Sequence, residues 1–286
     1  MTQDKKPIFA RSLNRYTGIV RRDSPPYCSD EINWGLGGTV YRRAWWRCYD
    51  ENGLPIREMI ESAVANFQPG TVVSIDIEEH GYNLSPVDNR HVEFVIECKR
   101  SRPDCKFGYY KTHGSNSNML VYPPGSRNRI RMEENIADLK RLDAFVDFAA
   151  PQFYPSYAGQ LPTSGQGSWL SSYYSDYGFS EWVEQVDWLL NEISKTQSVI
   201  YPYICPYSLQ NGADGSYQTG YLQYFVPWFG IALNYLMQHE LVSGVFFFDL
   251  HNSTMPTWDG PTQHWINELL VEATTRPDQT KPKGGE

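Results

Sequence analysis

Three carboxylates and a histidine directly follow a short apolar stretch of the chain. The stretch reads TVVSIDIEEHGY over residues 71–82, and its far end contains Asp76, Glu78, Glu79 and His80. Side chains alternate between the two faces of a β-strand, so Asp76 and Glu78 would share one face with Cα atoms about 6.6 Å apart. When two neighbouring carboxyls are partly removed from water, the neutral form of one of them is favoured. The pair could therefore supply a general acid near neutral pH.

The same alternation predicts which side of this strand faces the interior. Val73, Ile75 and Ile77 form an apolar face that would pack against helices, whereas Ser74 and the acidic pair would point inward. Glu79 falls on the apolar side of the alternation and is expected to be solvated or paired with a cation. The alternative for the acidic pair is a structural role, with the carboxylates held by arginine or backbone N–H groups.

A further carboxylate, Asp249, stands near the end of the run GVFFFDL at residues 244–250. If the run is a strand, Asp249 lies on the face opposite to Phe246 and Phe248. We expect that face to be the inner one, so that the Asp249 carboxylate points towards Glu78. Asp249 is therefore a candidate catalytic carboxylate or a ligand for substrate hydroxyls.

Histidines raise the alternative of a metal site. His80 shares the face of the acidic pair, and His113 and His251 follow the ends of other predicted strands. Imidazole and carboxylate groups are zinc ligands, so a metal-dependent hydrolase using His80, His113 and Asp249 is one alternative. No His-x-His pair follows the first strand, and we predict no metal. Because no dinucleotide, P-loop or GxSxG motif occurs either, we predict no cofactor.

Aromatic residues are abundant, at 15% of the chain with 20 Tyr and 9 Trp. Their flat apolar faces and polar edges suit stacking on sugar rings and bonding to sugar hydroxyls. The alternative is core packing, which would account for about half of them. The side chains predicted to bind substrate, in addition to His80, lie near strand ends or in long loops: Tyr110, Gln152, Tyr154, Tyr157, Tyr201, Tyr203 and Trp258.

Charge and composition exclude several classes of protein. The net charge is −8 and no basic run exceeds short pieces such as 127–131, so no nucleic-acid partner is predicted. No apolar run approaches the ~20 residues of a membrane span. The first residues, MTQDKKPIFARS, do not form a signal segment, so a secreted or periplasmic location is expected only if a leader has been removed.

The five cysteines have no metal-binding spacing, and most are expected to be buried thiols. Bridges Cys28–Cys48 and Cys98–Cys105 are both left open.

Apolar and amphipathic stretches alternate along the chain, which is typical of a parallel sheet with connecting helices. The predicted strands are 8–13, 40–47, 72–78, 107–112, 145–152, 199–205 and 245–249. The predicted helices are 55–67, 92–100, 130–141, 180–195, 221–239 and 262–273.

Connections entering the strands are short, whereas those leaving them are long and rich in Gly, Ser, Asn, Tyr and Trp. Long loops at the carboxyl ends of strands are typical of the functional face of a (β/α)7–8 TIM-type barrel. A doubly wound open sheet is the alternative, but no Gly-rich phosphate turn follows the first strand. The chain is therefore predicted to be an α/β protein with one barrel domain at 1–273 and a polar, disordered tail at 274–286.

The sequence also resembles the hyaluronidase-type glycoside hydrolases, whose barrel has D-x-E-E at a strand end. That motif is 76–79 here, and further similar pieces follow in order: FGYY at 107–110, FYPSY at 153–157, YPYICPY at 201–207 and GVFFFDL at 244–250. The resemblance implies that Glu78 is the acid/base. It also implies that Asp76 orients a substrate acetamido group acting as nucleophile, and that Tyr154 or Tyr201 assists.

The chain departs from the hyaluronidase pattern at Asp249 and at residues 80–82. The chitinase-type and barrel-lysozyme groups also use D-x-E at a strand end, so the resemblance is broader than one family. The expectation is a glycoside hydrolase acting on a polysaccharide or oligosaccharide, with N-acetylhexosamine-containing chains included. Besides the metal-dependent hydrolase, the remaining alternative is a glycan-binding barrel without catalytic activity.

Overall fold

Seven parallel β-strands form the centre of the protein. The structure is a computed structural model, and it describes residues 6–11, 35–41, 45, 47–76, 87, 89–115, 125–153, 176–204, 230 and 232–248. The strands are β1 (Ile8–Arg11), β2 (Gly37–Tyr41), β3 (Val72–Asp76), β4 (Lys106–Ser115), β5 (Ala150–Gln152), β6 (Tyr203–Ile204) and β7 (Val245–Phe248). Their order in the sheet is β1-β7-β6-β5-β4-β3-β2, and every pairing is parallel.

The two ends of this row of strands meet. The Gly35 N–H, just before β2, donates a hydrogen bond to the Ile8 carbonyl of β1 at 3.0 Å. On its other side, the same segment bonds to β3, because Val72 N–H donates to the Leu36 carbonyl at 2.8 Å. The sheet therefore closes on itself, and the predicted TIM-type barrel is confirmed, with seven strands among the described residues.

Helices cover the outside of the barrel, as parallel neighbouring strands require crossover connections. In the described chain they are α1 (Arg57–Val64), α2 (Asn89–Ser101), α3 (Arg127–Leu139), α4 (Asp176–Ser194) and α5 (residues 232–238), with a 3-10 turn at Lys140–Leu142. The helix predicted at 262–273 and the tail at 274–286 lie outside the described residues, so the domain division stays a prediction.

The second strand differs from its prediction at 40–47. It begins at Gly37 and ends at Tyr41, and residues 45 and 47 are helical. Gly38 lacks a side chain where Phe67, in the segment after α1, packs against the strand. A Cβ atom at Gly38 would stand 2.5 Å from a ring carbon of Phe67. Glycine lowers strand propensity, which is why the sequence pattern missed this start.

The fifth strand is shorter than its predicted range of 145–152. The Phe145 and Val146 amides donate hydrogen bonds to the Leu142 carbonyl, at 2.8 and 3.1 Å. This turn uses the backbone groups that a strand would need, and regular pairing begins only at Ala150.

Large aromatic side chains fill the inside of the barrel. The buried inner cluster comprises Phe9, Val72, Tyr110, Phe148, Ala150, Tyr201, Tyr203 and Phe246. The Tyr203 and Phe246 rings stack with centroids 4.6 Å apart and planes 7° apart. The interior is thus a packed core rather than a pore, as in other small parallel barrels.

Two further clusters fill the space between strands and helices. One joins β2, β3 and β4 to α1, α2 and α3, and it contains Val73 and Ile75. The other joins β1, β6 and β7 to α4 and α5. The position of Val73 and Ile75 confirms the predicted outer face of β3, which leaves Ser74 and Asp76 on the inner face.

The prediction for the faces of the last strand was wrong. Val245 and Phe247 pack outward against the helices, whereas Phe246 points into the barrel and stacks on Tyr203. The run VFFF is apolar at every position, so its sequence has no alternation that could distinguish the two faces. The argument that turned Asp249 inward is thereby lost, and Asp249 itself lies outside the described residues.

Cys48, Cys98 and Cys105 are buried free thiols, so neither of the two bridges left open by the sequence is formed. Burial raises the pKa of the Cys48 thiol to about 11. Within the described ranges, no helix has the length and apolar character needed to cross a membrane.

Candidate active site

Asp76 is the last residue of β3 and lies on the inner face at the carboxyl end of the barrel. It is half-buried, whereas the four residues before it in the strand are buried. In the strand register it lies opposite Tyr41 of β2. Ile75 pairs with Tyr109 of β4, so Asp76 and Tyr110 stand at the same level on neighbouring strands. Asp76 thus stands at the carboxyl end of its strand, and its catalytic role stays a prediction.

A small polar patch lies one level below Asp76. Ser74 is fully buried, and its hydroxyl makes no hydrogen bond among the described residues. Its register partners are Thr39 on β2 and Gly108 on β4. A Cβ atom at Gly108 would stand 2.6 Å from the Phe148 ring, so the missing side chain gives room for that ring. Ser74 and Thr39 therefore form a small polar patch in an interior that is mainly aromatic.

Three of the predicted substrate ligands lie near this end of the barrel. The Tyr110 and Tyr203 rings meet edge to face with centroids 4.7 Å apart. Gln152 pairs in register with Tyr203 and is buried, with 8% of its surface exposed. The strand pairing therefore brings Tyr110, Gln152 and Tyr203 to the same interior as Asp76, from three different strands. A buried amide and two phenols can bond to hydroxyl groups of a ligand at the mouth.

Tyr201 lies deeper than the other predicted ligands. Its ring contacts Phe9, Phe148 and Phe246, with centroid separations of 5.0, 5.2 and 6.3 Å. Burial raises the pKa of the Tyr201 phenol. The phenol therefore remains protonated at neutral pH and can act only as a neutral hydrogen-bonding group. Its assignment as a substrate or assisting residue stays a prediction.

The remaining predicted site residues lie outside the described residues. Glu78 comes two positions after the described end of β3, and Tyr154 follows directly after the described residue 153. The others are His80, Tyr157, Asp249 and Trp258, and the neighbouring Glu79 and His251 also lie outside the described residues. His113 lies within the backbone of β4, but its side chain is not described.

The described part of the chain contains no group of three or more His, Cys, Asp or Glu side chains that could hold a metal ion. His80 and Asp249, two of the three ligands of the metal alternative, lie outside that part.

Phe246 is the inner-face residue that sequence reasoning missed. The Phe246 ring stacks on the Tyr203 ring, and its centroid lies 5.2 Å from that of the Phe9 ring. The signal for Phe246 in the sequence was indirect. Tyr201 and Tyr203 share a face because they are two residues apart, and aromatic side chains on neighbouring strands commonly pair.

Comparisons with known proteins add little beyond this geometry. No protein-family model matches the chain, and no curated protein matches it. Similar solved structures include bee venom hyaluronidase, at 11% identity and a TM-score of 0.46, covering 95% of this chain and 100% of that one. Xylanase 10B from Thermotoga maritima has 13% identity and a TM-score of 0.40, covering 75% and 65%. A curdlan-specific exo-beta-1,3-glucanase from Blastomyces gilchristii has 11% identity and a TM-score of 0.41, covering 95% and 98%.

Likeness at this level establishes neither a family nor an activity for this chain. The barrel assignment rests on the strand pairing itself, and the function must be argued from the site.

Proposed function

We propose that the protein is a glycoside hydrolase that cleaves a polysaccharide or oligosaccharide. The observation that carries the proposal is the position of Asp76, half-buried at the carboxyl end of β3 and turned to the inside of the barrel. Catalytic residues of such barrels come from the carboxyl ends of strands, whereas the opposite end serves stability. Asp76 stands at such a strand end, level with Tyr110 of the next strand, and this position supports the proposal.

In the proposed mechanism, Glu78 donates a proton to the oxygen of the scissile glycosidic bond. Departure of the leaving group is otherwise slow, because it would form an alkoxide. Asp76 stabilises the positive charge that develops at the anomeric carbon.

The proposed substrate class is a glycan that contains N-acetylhexosamine units. The D-x-E-E resemblance at 76–79 supports it, since in that pattern Asp76 orients the acetamido group of the substrate for attack. Glu78 then returns as a base to activate water, which hydrolyses the intermediate. In this scheme Tyr154 assists, and Asp249 has no assigned step, because the strand faces that turned it inward are reversed.

Binding of the sugar would use the polar and aromatic groups around the mouth. Gln152 and the phenols of Tyr110, Tyr201 and Tyr203 are assigned to hydroxyl contacts from the inner wall. His80, Tyr157 and Trp258 are assigned to contacts from the loops, where aromatic rings stack on sugar faces.

A product screen tests the proposed activity. The full-length protein is incubated with a panel of glycans with and without N-acetylhexosamine, and new reducing ends are measured. We expect release of products from at least one N-acetylhexosamine-containing chain, equally with and without EDTA. Products from none of the panel would contradict the proposed function. Loss of activity in EDTA, restored by zinc, would replace it with the metal-dependent alternative.

A further inference from the structure

Polar groups join the first and last strands, β1 and β7, at the amino end of the barrel. These two strands are far apart in the sequence. The Val245 N–H, at the start of β7, donates to the Pro7 carbonyl before β1 at 3.0 Å. The ammonium group of Lys6 donates to the carbonyl of His239 at 2.6 Å. A Cβ atom at Gly244 would stand 2.7 Å from the Pro7 carbonyl oxygen, so the two segments touch. The residues around His239 therefore form a seam between β1 and β7, the first and last strands of the described chain.

The ring of His239 uses both of its nitrogens at this seam. The Leu241 N–H donates a hydrogen bond to Nδ1 at 3.2 Å. The other nitrogen, Nε2, lies 3.3 Å from the Asp187 carboxylate of α4. Since Nδ1 accepts a hydrogen bond, it holds no proton, and the single ring proton is on Nε2, facing the carboxylate. The described arrangement is that of a neutral imidazole in one defined tautomer.

The ionisable groups around the ring act in opposite directions. Asp187, which also accepts a hydrogen bond from the Tyr235 hydroxyl, favours a charged ring, and so does Glu240. Burial opposes the charged ring, and so does the nearby ammonium of Lys6. Burial is the largest of these effects, and the net result is that the pKa of His239 is lowered from its ordinary value.

Protonation would break one specific contact. A charged imidazole has an N–H group on both nitrogens, so Nδ1 becomes a donor facing the N–H donor of Leu241. The turn that leads into β7 begins here, because the Val242 N–H donates to the His239 carbonyl at 3.1 Å. That carbonyl is also the one to which Lys6 binds. Loss of the Leu241 contact therefore acts on the turn and on the link to the first strand together.

We propose that His239 is a proton-sensitive lock at the seam of the barrel. With a neutral ring, it fixes the turn into β7 and the start of β1. With a protonated ring, it releases the Leu241 amide and loosens this junction. The lock is independent of the proposed reaction, although β7 also carries Phe246, on which Tyr203 stacks.

The direction of the pH effect follows from the lowered pKa of His239. The unfolded chain takes up a proton near pH 6.5, whereas the folded chain does so only at lower pH. The stability contributed by the neutral ring is therefore fully present above about pH 6.5. It is lost as the pH falls from there through the folded-state pKa.

The first test observes the lock in the unmodified full-length protein by NMR, without any substrate. We expect the imidazole nitrogens of His239 to report a proton on Nε2 at pH 8. On acidification, the ring should titrate and the Leu241 amide should exchange about three- to tenfold faster, relative to the intrinsic rate at each pH. The proposal is overturned by a proton on Nδ1, by no titration of the ring before unfolding, or by unchanged protection of Leu241.

The second test uses variants and thermal unfolding between pH 5 and pH 8. In His239→Asn the amide oxygen can replace Nδ1 as acceptor and does not titrate, so the fall in unfolding temperature below pH 6.5 should largely disappear. The control, Glu240→Gln, removes an exposed neighbouring charge but leaves both ring contacts, so it should retain the fall. A His239→Asn protein that keeps the wild-type pH dependence would overturn the proposal. Neither test involves glycan cleavage, so its outcome is separate from that of the proposed function.

Discussion

Ser74 and Asp76 lie on the same inner face of β3, yet their surroundings differ. The carboxylate is half-buried at the end of the strand, where water can still reach it. The hydroxyl one level below is fully buried without a hydrogen bond among the described residues. A buried polar group in that state costs about 1–3 kcal/mol of folding free energy. The buried Ser74 hydroxyl, one level below the proposed catalytic residues, therefore lowers the free energy of unfolding.

We predict that Ser74→Ala does not destabilise the protein. Removing the hydroxyl removes its desolvation cost and leaves only a very small void, so the free energy of unfolding should stay constant or rise by up to about 1 kcal/mol. Urea denaturation of wild type and variant measures this. Ser198→Ala, at an exposed position, is the control and should change stability by less than about 0.5 kcal/mol. A loss of more than about 1 kcal/mol in Ser74→Ala would show that the hydroxyl has a partner in solution.

At the scale of elements, Asp147 ties three parts of the barrel together. Its carboxylate accepts a hydrogen bond from the Phe107 N–H of β4 at 2.9 Å and one from Lys99 of α2 at 2.6 Å. Asp147 itself stands just before β5. Because both side chains of the ion pair are partly exposed, water screens the charge attraction, and the backbone contact is the larger contribution.

We predict that Asp147→Ala lowers the free energy of unfolding by about 1–3 kcal/mol, because the Phe107 N–H is left without an acceptor. Equilibrium denaturation is again the measurement. The control is Glu61→Ala, which removes an exposed ion pair with Arg57 at 2.8 Å and should cost less than about 0.5 kcal/mol. Equal effects of the two substitutions would contradict the role given to Asp147.

The elements also show where sequence reasoning succeeded and where it could not. The faces of β3 were predictable, because Ser74 and Asp76 interrupt its apolar residues at alternate positions. The faces of β7 were not, since VFFF is apolar throughout and only its neighbours select Phe246 for the inside. Likewise, Tyr201 and Tyr203 look equivalent in the sequence. Their depth follows from the pairing of Tyr203 with Gln152, which no local pattern contains.

For the whole molecule, the barrel was predictable from loop lengths, because short entries and long exits describe a parallel barrel without any knowledge of its pairing. The closure of the barrel was not predictable from the sequence. The hydrogen bond from Gly35 to Ile8 and the contact of Lys6 with His239 join segments that are distant in the chain. The placement of Asp76 at the carboxyl end of β3 was predictable because it needs only the strand and its direction.

The central claim is that the carboxyl end of β3 holds the catalytic acid, and two neighbouring glutamates allow a matched test. Glu78→Gln keeps the shape of the side chain and removes its transferable proton, whereas Glu79→Gln makes the same change one residue later, on the opposite face of the predicted alternation. Turnover of each variant is measured on the best glycan from the product screen, with circular dichroism to check folding. We predict that Glu78→Gln lowers turnover by about 10²–10⁴-fold and that Glu79→Gln stays close to wild type. A folded Glu78→Gln protein with near-normal turnover would contradict the assignment.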